Sequence, residues 1–182
     1  MSDYELLPES PLGGVEIELD GFNITEVTDK SLVMVALPRD KFRDIESSID
    51  KSCGLKLPEK DAFNPVETYK RDDDGTIATT FTFNKGSLDG PTKVFQPRGF
   101  VMDETTNAIW GMQFVWPIKA DYRIVYLDDQ YQQTIIGRNS RDYVWIMART
   151  PSISEQDYTK LVGVVKSLGY ELDALQKAIH AK

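Results

Sequence analysis

The chain has 182 residues, 41% of them hydrophobic, with 21 basic and 29 acidic side chains and a net charge of −8. This length suits one full domain, or one small domain with part of a second, and the apolar content supports a real core, which excludes a wholly disordered chain. The acidic balance argues against nucleic-acid binding, where basic side chains must displace counterions along the phosphates.

A single cysteine, Cys53, excludes an internal disulfide and a multi-cysteine metal site. The one histidine, His180, lies two residues from the end and is expected in a solvated tail. Any Ser-His-Asp or Cys-His mechanism would have to use it, and no catalytic role is expected for it; no metal or cofactor is expected either. The start, Met1-Ser2-Asp3-Tyr4-Glu5, is acidic and no apolar region follows it, unlike a secretory signal. No run approaches the roughly 18 apolar residues of a membrane span. As written, the chain is expected to stay in the cytoplasm.

Composition divides the chain near residue 60. Up to Pro58 the net charge is −6 and aromatic residues are sparse, while all three tryptophans and six of the eight tyrosines lie beyond residue 100. Residues 1–58 predict a small α+β segment. Val15, Ile17 and Leu19 alternate with acids at period two, and Asp20-Gly21 signals a turn. Phe22-Asn23-Ile24 leads into Val27, and Leu32 to Leu37 is an apolar run of strand length. From Arg39 the period changes: Phe42, Ile45, Ile49 and Cys53 fall on one helical face, with Gly54 as the cap. Cys53 is then a core residue at the helix end.

Residues 59–182 predict seven strands at short intervals: 66–71, 76–84, 92–102 (interrupted by Pro97 and Gly99), 108–116, 121–127, 131–137 and 142–149. Pro117 stops the fourth. The connections are too short for parallel crossovers, so the strands form an antiparallel meander. Closing into a barrel would remove its two open edges. Ser154 then caps a final helix, with Glu155 and Asp157 in the first turn and Tyr158, Leu161, Val162, Val165 and Leu168 as one apolar stripe ended by Gly169.

Bland readings suffice for several motifs. Asp72-Asp73-Asp74-Gly75 is a hairpin turn, because its contiguous aspartates lack the alternating ligands and following glutamate of a calcium loop. Asp128-Asp129, the one pair that invites a carboxylate mechanism, also sits in a turn signal. Asn23-Ile24-Thr25 fits a glycosylation sequon without a secretory route to use it. The aromatic rows say more. Trp110, Met112, Phe114 and Trp116 share one parity, as do Tyr122, Ile124 and Tyr126, and Tyr143, Trp145 and Met147. Such rows fill a dry core in a sandwich or line a ligand cavity in a barrel, and parity alone leaves both open.

Three ordered stretches resemble the bacterial lipocalins of the apolipoprotein-D-like outer-membrane lipoprotein type. They are Asp121-Tyr122-Arg123-Ile124-Val125-Tyr126-Leu127-Asp128, Gly137-Arg138, and the run from Arg141 through Asp142-Tyr143-Val144-Trp145-Ile146-Met147-Ala148-Arg149-Thr150 to Pro151. Asn64-Pro65-Val66-Glu67-Thr68-Tyr69 with its Asp-Gly turn is similar to that family's second strand. The resemblance covers about residues 59–182. It implies a mainly β, up-and-down antiparallel barrel with a flanking C-terminal helix, binding fatty acids, lysophospholipids or similar apolar molecules without catalysis. The family is periplasmic or outer-membrane anchored. Its opening Gly-x-Trp strand is missing from this stretch, and that tryptophan packs against a late arginine, here Arg149.

The front resembles something else. Ser10-Pro11-Leu12, the run from Ile24 to Val33, a helix, and Gly54-Leu55-Lys56-Leu57-Pro58 are similar to the start of the sarcosine oxidase gamma subunit. This implies an apparent chimera, with residues 1–58 as a possible surface for a protein partner and the barrel passive. Lipocalin-type binding of a small apolar ligand is the leading expectation. The ligand-binding candidates are Trp110, Met112, Phe114, Tyr122, Ile124, Tyr143, Trp145 and Met147. Tyr122 and Tyr143 are the groups able to orient a polar head. The front segment is the candidate source of the missing first strand.

Overall fold

The computed structural model describes residues 21–24, 28, 30–38, 62–173 and 175–181. In chain order these form β1 (Lys30–Pro38), β2 (Ala62–Arg71), β3 (Ile77–Lys85), β4 (Thr92–Phe95), β5 (Arg98–Val101), β6 (Ile109–Val115), β7 (Ile118–Leu127), β8 (Gln133–Gly137), β9 (Val144–Ala148), α1 (Glu155–Ser167) and β10 (Leu175–Lys177). The strand expected around Val15–Leu19 and the helix expected from Arg39 to Cys53 lie outside the described residues.

All seven strands expected after residue 60 are present. The third is split: Pro97 has no backbone N–H to give to a ladder, and β4 and β5 lie on either side of it. β4 pairs with Phe81–Asn84 and β5 with Ile77–Ala78, so the two halves share one position beside β3. The turns use their expected residues. Gly75 takes a φ of 82° in the β2–β3 hairpin, where Asp74 Oδ1 accepts from the Thr76 N–H at 2.9 Å. In the β7–β8 turn, Asp128 Oδ1 accepts from the N–H groups of Gln132 and Gln133 at 2.6 and 2.8 Å. Asp128 is thereby committed to holding its turn.

A meander of seven strands keeps two open edges, and β1 removes both. The apolar run Leu32–Leu37 lies within it, as its strand length predicts. One side of β1 pairs antiparallel with β2 through Lys30–Val33, and Val33, Met34 and Ala36 pair with β9. The first-strand position is filled from the chain before residue 58, and the barrel closes with eight antiparallel positions. A register shift between Met34 and Ala36 changes the face of the strand. Leu32 and Met34 point into the barrel, while Val35 and Ala36 pack outward.

The β1–β2 ladder ends at Val33↔Val66, leaving the second half of β1 without that neighbour. The C-terminal tail takes the place. β10 pairs antiparallel with Ala36–Pro38, and Ile179 bridges Phe63 of β2. His180, expected in a solvated tail, is half-buried with Nε2 2.7 Å from the Met34 carbonyl oxygen. The tail satisfies strand edge groups that would otherwise stay unpaired, a constraint that residue spacing does not reveal.

Helix α1 begins as its cap residue predicts: Ser154 Oγ accepts from the Asp157 N–H at 3.0 Å. Gly169, at φ 84°, follows its last turn. Leu161 and Val165 are fully buried against Val35, Ile135, Val144, Ile146 and Ala148 on the outside of the barrel. Burying each such side chain stabilises the docked helix by about 1.5–3 kcal/mol. Past the helix, Tyr170 is buried and its hydroxyl donates to the Arg138 carbonyl oxygen at 2.9 Å. The fit depends on Gly137, where an added Cβ would meet the Tyr170 hydroxyl at 2.1 Å. Gly137→Ala is expected to cost about 1–3 kcal/mol through overpacking. Urea denaturation measures it. Tyr170→Leu in the same chain should recover part of the loss, and an unchanged midpoint for the single variant would refute this seating of Tyr170.

Candidate functional site

Side chains on a strand alternate between faces, so each barrel position sends every second residue inward. The inward cluster includes Leu32 and Met34 of β1, Tyr69 of β2, Ile77 of β3, Trp110 and Met112 of β6, Tyr122 and Ile124 of β7, Ile136 of β8 and Met147 of β9. Phe22 and Ile24 pack against one end of it. Phe22 donates its N–H to the Thr106 carbonyl oxygen in the β5–β6 turn at 3.1 Å. Trp110 Nε1 donates to the Asn107 carbonyl oxygen at 2.7 Å, so the indole is anchored at the same end.

Aromatic rings cross the lumen in a stacked series. Trp110 and Tyr122 have centroids 5.9 Å apart, Tyr122 and Trp145 6.2 Å, and Trp145 and Tyr143 5.8 Å. Tyr69 meets Trp110 edge-on at 5.5 Å. Nearer the other end, Phe81, Phe83 and Phe95 form a second cluster with centroids 5.4–6.3 Å apart.

Of the residues singled out from the sequence, Trp110, Met112, Tyr122, Ile124, Trp145 and Met147 therefore come together around the lumen. Tyr143 is buried and stacked on Trp145. Phe114 is 38% exposed near the end of β6, and Trp116 beyond it is 81% exposed. The parity rows break where the ladders slip, between Met112 and Val115 and between Ile124 and Tyr126. The second slip turns Tyr126 outward beneath α1, with Lys160 Nζ 5.7 Å from its ring centroid. A β-bulge exchanges the two faces of a strand, so strict alternation overran at both places.

Arg149 leaves β9 at the same end as Phe22. Its Nε donates to the Tyr131 carbonyl oxygen at 3.1 Å, and its N–H to the Gln132 carbonyl oxygen at 2.9 Å. Partial burial lowers the pKa of its guanidinium from the ordinary value. The β7–β8 turn thus supplies hydrogen-bonding cover for Arg149 where the resembled family uses a tryptophan.

Sequence reasoning passed over the polar group inside the barrel. Glu67 is buried within the barrel. Tyr122 donates its hydroxyl proton to Glu67 Oε2 at 3.3 Å, and the Tyr69 and Tyr122 hydroxyls are in close hydrogen-bond contact. The Tyr69 hydroxyl also lies 3.9 Å from Met147 Sδ. Burial pushes the Glu67 carboxyl up from 4.5 to about 7, and the tyrosine hydrogen bonds only partly oppose it. Burial, followed by the charge of Glu67, raises both phenols well above their ordinary range. Thr79 is paired with Tyr69 across the β2–β3 ladder, and its buried hydroxyl has no hydrogen-bond partner. The available signal was parity: Glu67 shares a strand face with Tyr69, so an acid stands in an aromatic row.

An eight-stranded up-and-down barrel with an apolar, aromatic lumen and a helix on its flank defines a class of small-ligand-binding barrels. The family model described as a lipocalin-like domain matches residues 56–180, and the chain belongs to that family. Temperature-induced lipocalin-1 of Arabidopsis thaliana is 30% identical over 126 residues, 65% of this chain and 66% of that protein. The outer membrane lipoprotein Blc of Citrobacter freundii is 27% identical over 111 residues, 59% of this chain and 60% of that protein. The match thus spans under two thirds of these curated relatives' length.

Among solved structures, the cockroach allergen Per a 4 superposes with a TM-score of 0.62 at 16% identity, covering 96% of this chain and 97% of that one. Insecticyanin of the tobacco hornworm Manduca sexta gives 0.64 at 9% identity, covering 93% and 87%. These likenesses show the fold. Among the described residues, no helix is long and apolar enough to cross a membrane.

The Glu67 carboxyl sets a pH dependence of stability. Between pH 4.5 and about 7 the folded state holds a proton that the unfolded chain has lost, so stability falls as pH rises through this window and flattens above it. The expected loss is of the order of 3 kcal/mol. Glu67→Gln should remove this dependence and be more stable than wild type at pH 8. Denaturant melts at pH 5, 6, 7 and 8 measure both chains. Parallel profiles for the two would show that Glu67 is not the group responsible.

Proposed function

We propose that this chain binds one small apolar molecule, a fatty acid, lysophospholipid or similar amphiphile, in the barrel lumen, and that it does so without catalysis. One observation carries the reading: Trp110, Tyr122 and Trp145 stack in series on the inward face of a closed barrel, beside Met34, Met112 and Met147, with Tyr143 stacked on Trp145. Flat rings and flexible thioethers suit an apolar chain, because they offer large contact areas that adjust to its shape. Family membership supports the same reading. The carboxylate pair that invited a catalytic mechanism does not, since Asp128 is engaged by two backbone N–H groups of its own turn.

Tryptophan fluorescence titrated with lysophosphatidylcholine or a long-chain fatty acid at pH 6 tests the proposal, because Trp110 is buried in the lumen and Trp145 packs against the same cluster. A saturable change at micromolar ligand is the expected result, and no change for either probe overturns it. By calorimetry, Trp145→Ala should weaken binding about tenfold, the equivalent of roughly 1.4 kcal/mol of lost contact. Trp116→Ala, on an exposed turn, should leave the affinity within twofold. Equal effects of the two variants would place the ligand outside the lumen.

A further inference from the structure

The lumen contains a feature that an apolar cavity does not need. A carboxyl group stands among stacked rings, 6% exposed, with two phenols and an unpartnered threonine hydroxyl as its polar company. Among the described residues, no ion pair reaches Glu67. The inward residues whose side chains are described are Leu32 and Met34 on β1, Tyr69 beside it on β2, Thr79 and Phe81 on β3, Tyr122 on β7, and Met147 with Trp145 on β9, and Lys30 stands opposite Tyr69 in the β1–β2 ladder. Among the described residues, Tyr69 and Tyr122 are the titratable groups that act on Glu67. Arg149 stands near Tyr69 and Asp128 at the barrel end.

Donor counting shows what the cluster lacks. An ionised carboxylate accepts at up to about four sites. Tyr122 donates to Glu67, Tyr69 also hydrogen-bonds the carboxyl, and the two hydroxyls contact each other. The two phenols bring only two protons, so they leave about half of the carboxylate's accepting capacity open. Thr79 Oγ1, on the same strand face as Tyr69, adds one donor and more accepting capacity, both unpartnered. Buried acceptors in this excess call for a group that brings donors, and a buried negative charge calls for a positive one. A second carboxylate brings neither, and two like charges in one dry site cannot both stay ionised.

Resting on the lumen-binding reading above, we propose that Glu67, Tyr69, Tyr122 and Thr79 form a head-group site for a non-anionic, hydrogen-bond-donating head, above all an alkyl amine, and that Glu67 discriminates against free fatty acids. The ligand enters head first. Its polar end reaches Glu67, and its tail runs back along Phe81, Phe83 and Phe95 toward the end where Phe114 and Trp116 are exposed. An ammonium supplies three donors to the carboxylate and to the threonine hydroxyl.

The test uses three probes of equal tail length, dodecylamine, dodecanol and dodecanoate, titrated against the full chain and its Glu67→Gln variant at pH 6 and pH 8.5. At pH 8.5 the wild type should bind dodecylamine at least tenfold more tightly than dodecanoate, with dodecanol between them. Dodecanoate should gain affinity in the wild type at pH 6, where Glu67 takes up a proton. Glu67→Gln should shrink the amine–carboxylate gap at pH 8.5 to under threefold. The comparison within the variant separates Glu67 from the general attraction of a chain of net charge −8 for cations.

Equal binding of amine and carboxylate by the wild type, or an undiminished gap in Glu67→Gln, overturns the head-group site and leaves the lumen-binding reading intact. Failure of all three probes overturns the head-group site, and failure of lysophosphatidylcholine and a long-chain fatty acid as well overturns both. If Glu67→Gln does not fold, the wild-type pH series decides alone: dodecanoate affinity that does not change between pH 6 and 8.5 overturns the proposal.

Discussion

The structure depends on a constraint of sheet edges. A meander ends in two strands with unpaired N–H and C=O groups, and curvature brings them together only if a strand fits between them. Here β1 is that strand, paired with β2 through its first half and with β9 from Val33 on. Its remaining edge is taken by the C-terminal tail, which adds β10 and brings His180 against the Met34 carbonyl. Closure creates the lumen, and without the lumen the aromatic rows have no common interior to face.

The helix and the tail reinforce that closure from outside. Residues flanking the register shift in β1 serve both cores, with Leu32 and Met34 inside and Val35 and Ala36 under α1. One strand thus couples the lumen to the helix packing. The Lys177–Glu155 ion pair at 2.6 Å joins β10 to the start of the helix. It is exposed, so it adds specificity of placement more than stability.

Inside, two tendencies oppose each other. Rings and methionines exclude water, and the exclusion makes a carboxyl expensive to ionise. The tyrosine hydrogen bonds from β2 and β7 only partly relieve this. Such a group costs stability near neutral pH, and a ligand that neutralises it recovers the cost on binding. The same burial that raises the Glu67 pKa is what gives it power to choose between heads.

Much of this was legible in the sequence. The seven later strands, the turn residues Gly75 and Asp128, the Ser154 cap and the stripe of α1 follow from local rules: period two, period 3.6, and the few residues that tolerate turns or satisfy helix ends. Most of the lumen residues followed from parity for the same reason.

What the tertiary structure decided is non-local. Bulges in β6 and β7 exchanged strand faces, exposing Phe114 and Trp116 and turning Tyr126 outward, because a bulge answers to ladder strain across strands and leaves no mark in the alternation itself. The source of the first strand and the strapping of the tail depended on which edges closure left open. Glu67 stands on a face shared with Tyr69, yet its pairing with Tyr122 spans 55 residues of sequence. A residue's own sequence sets what it can donate or accept. Only the fold brings together the groups that decide whether it does.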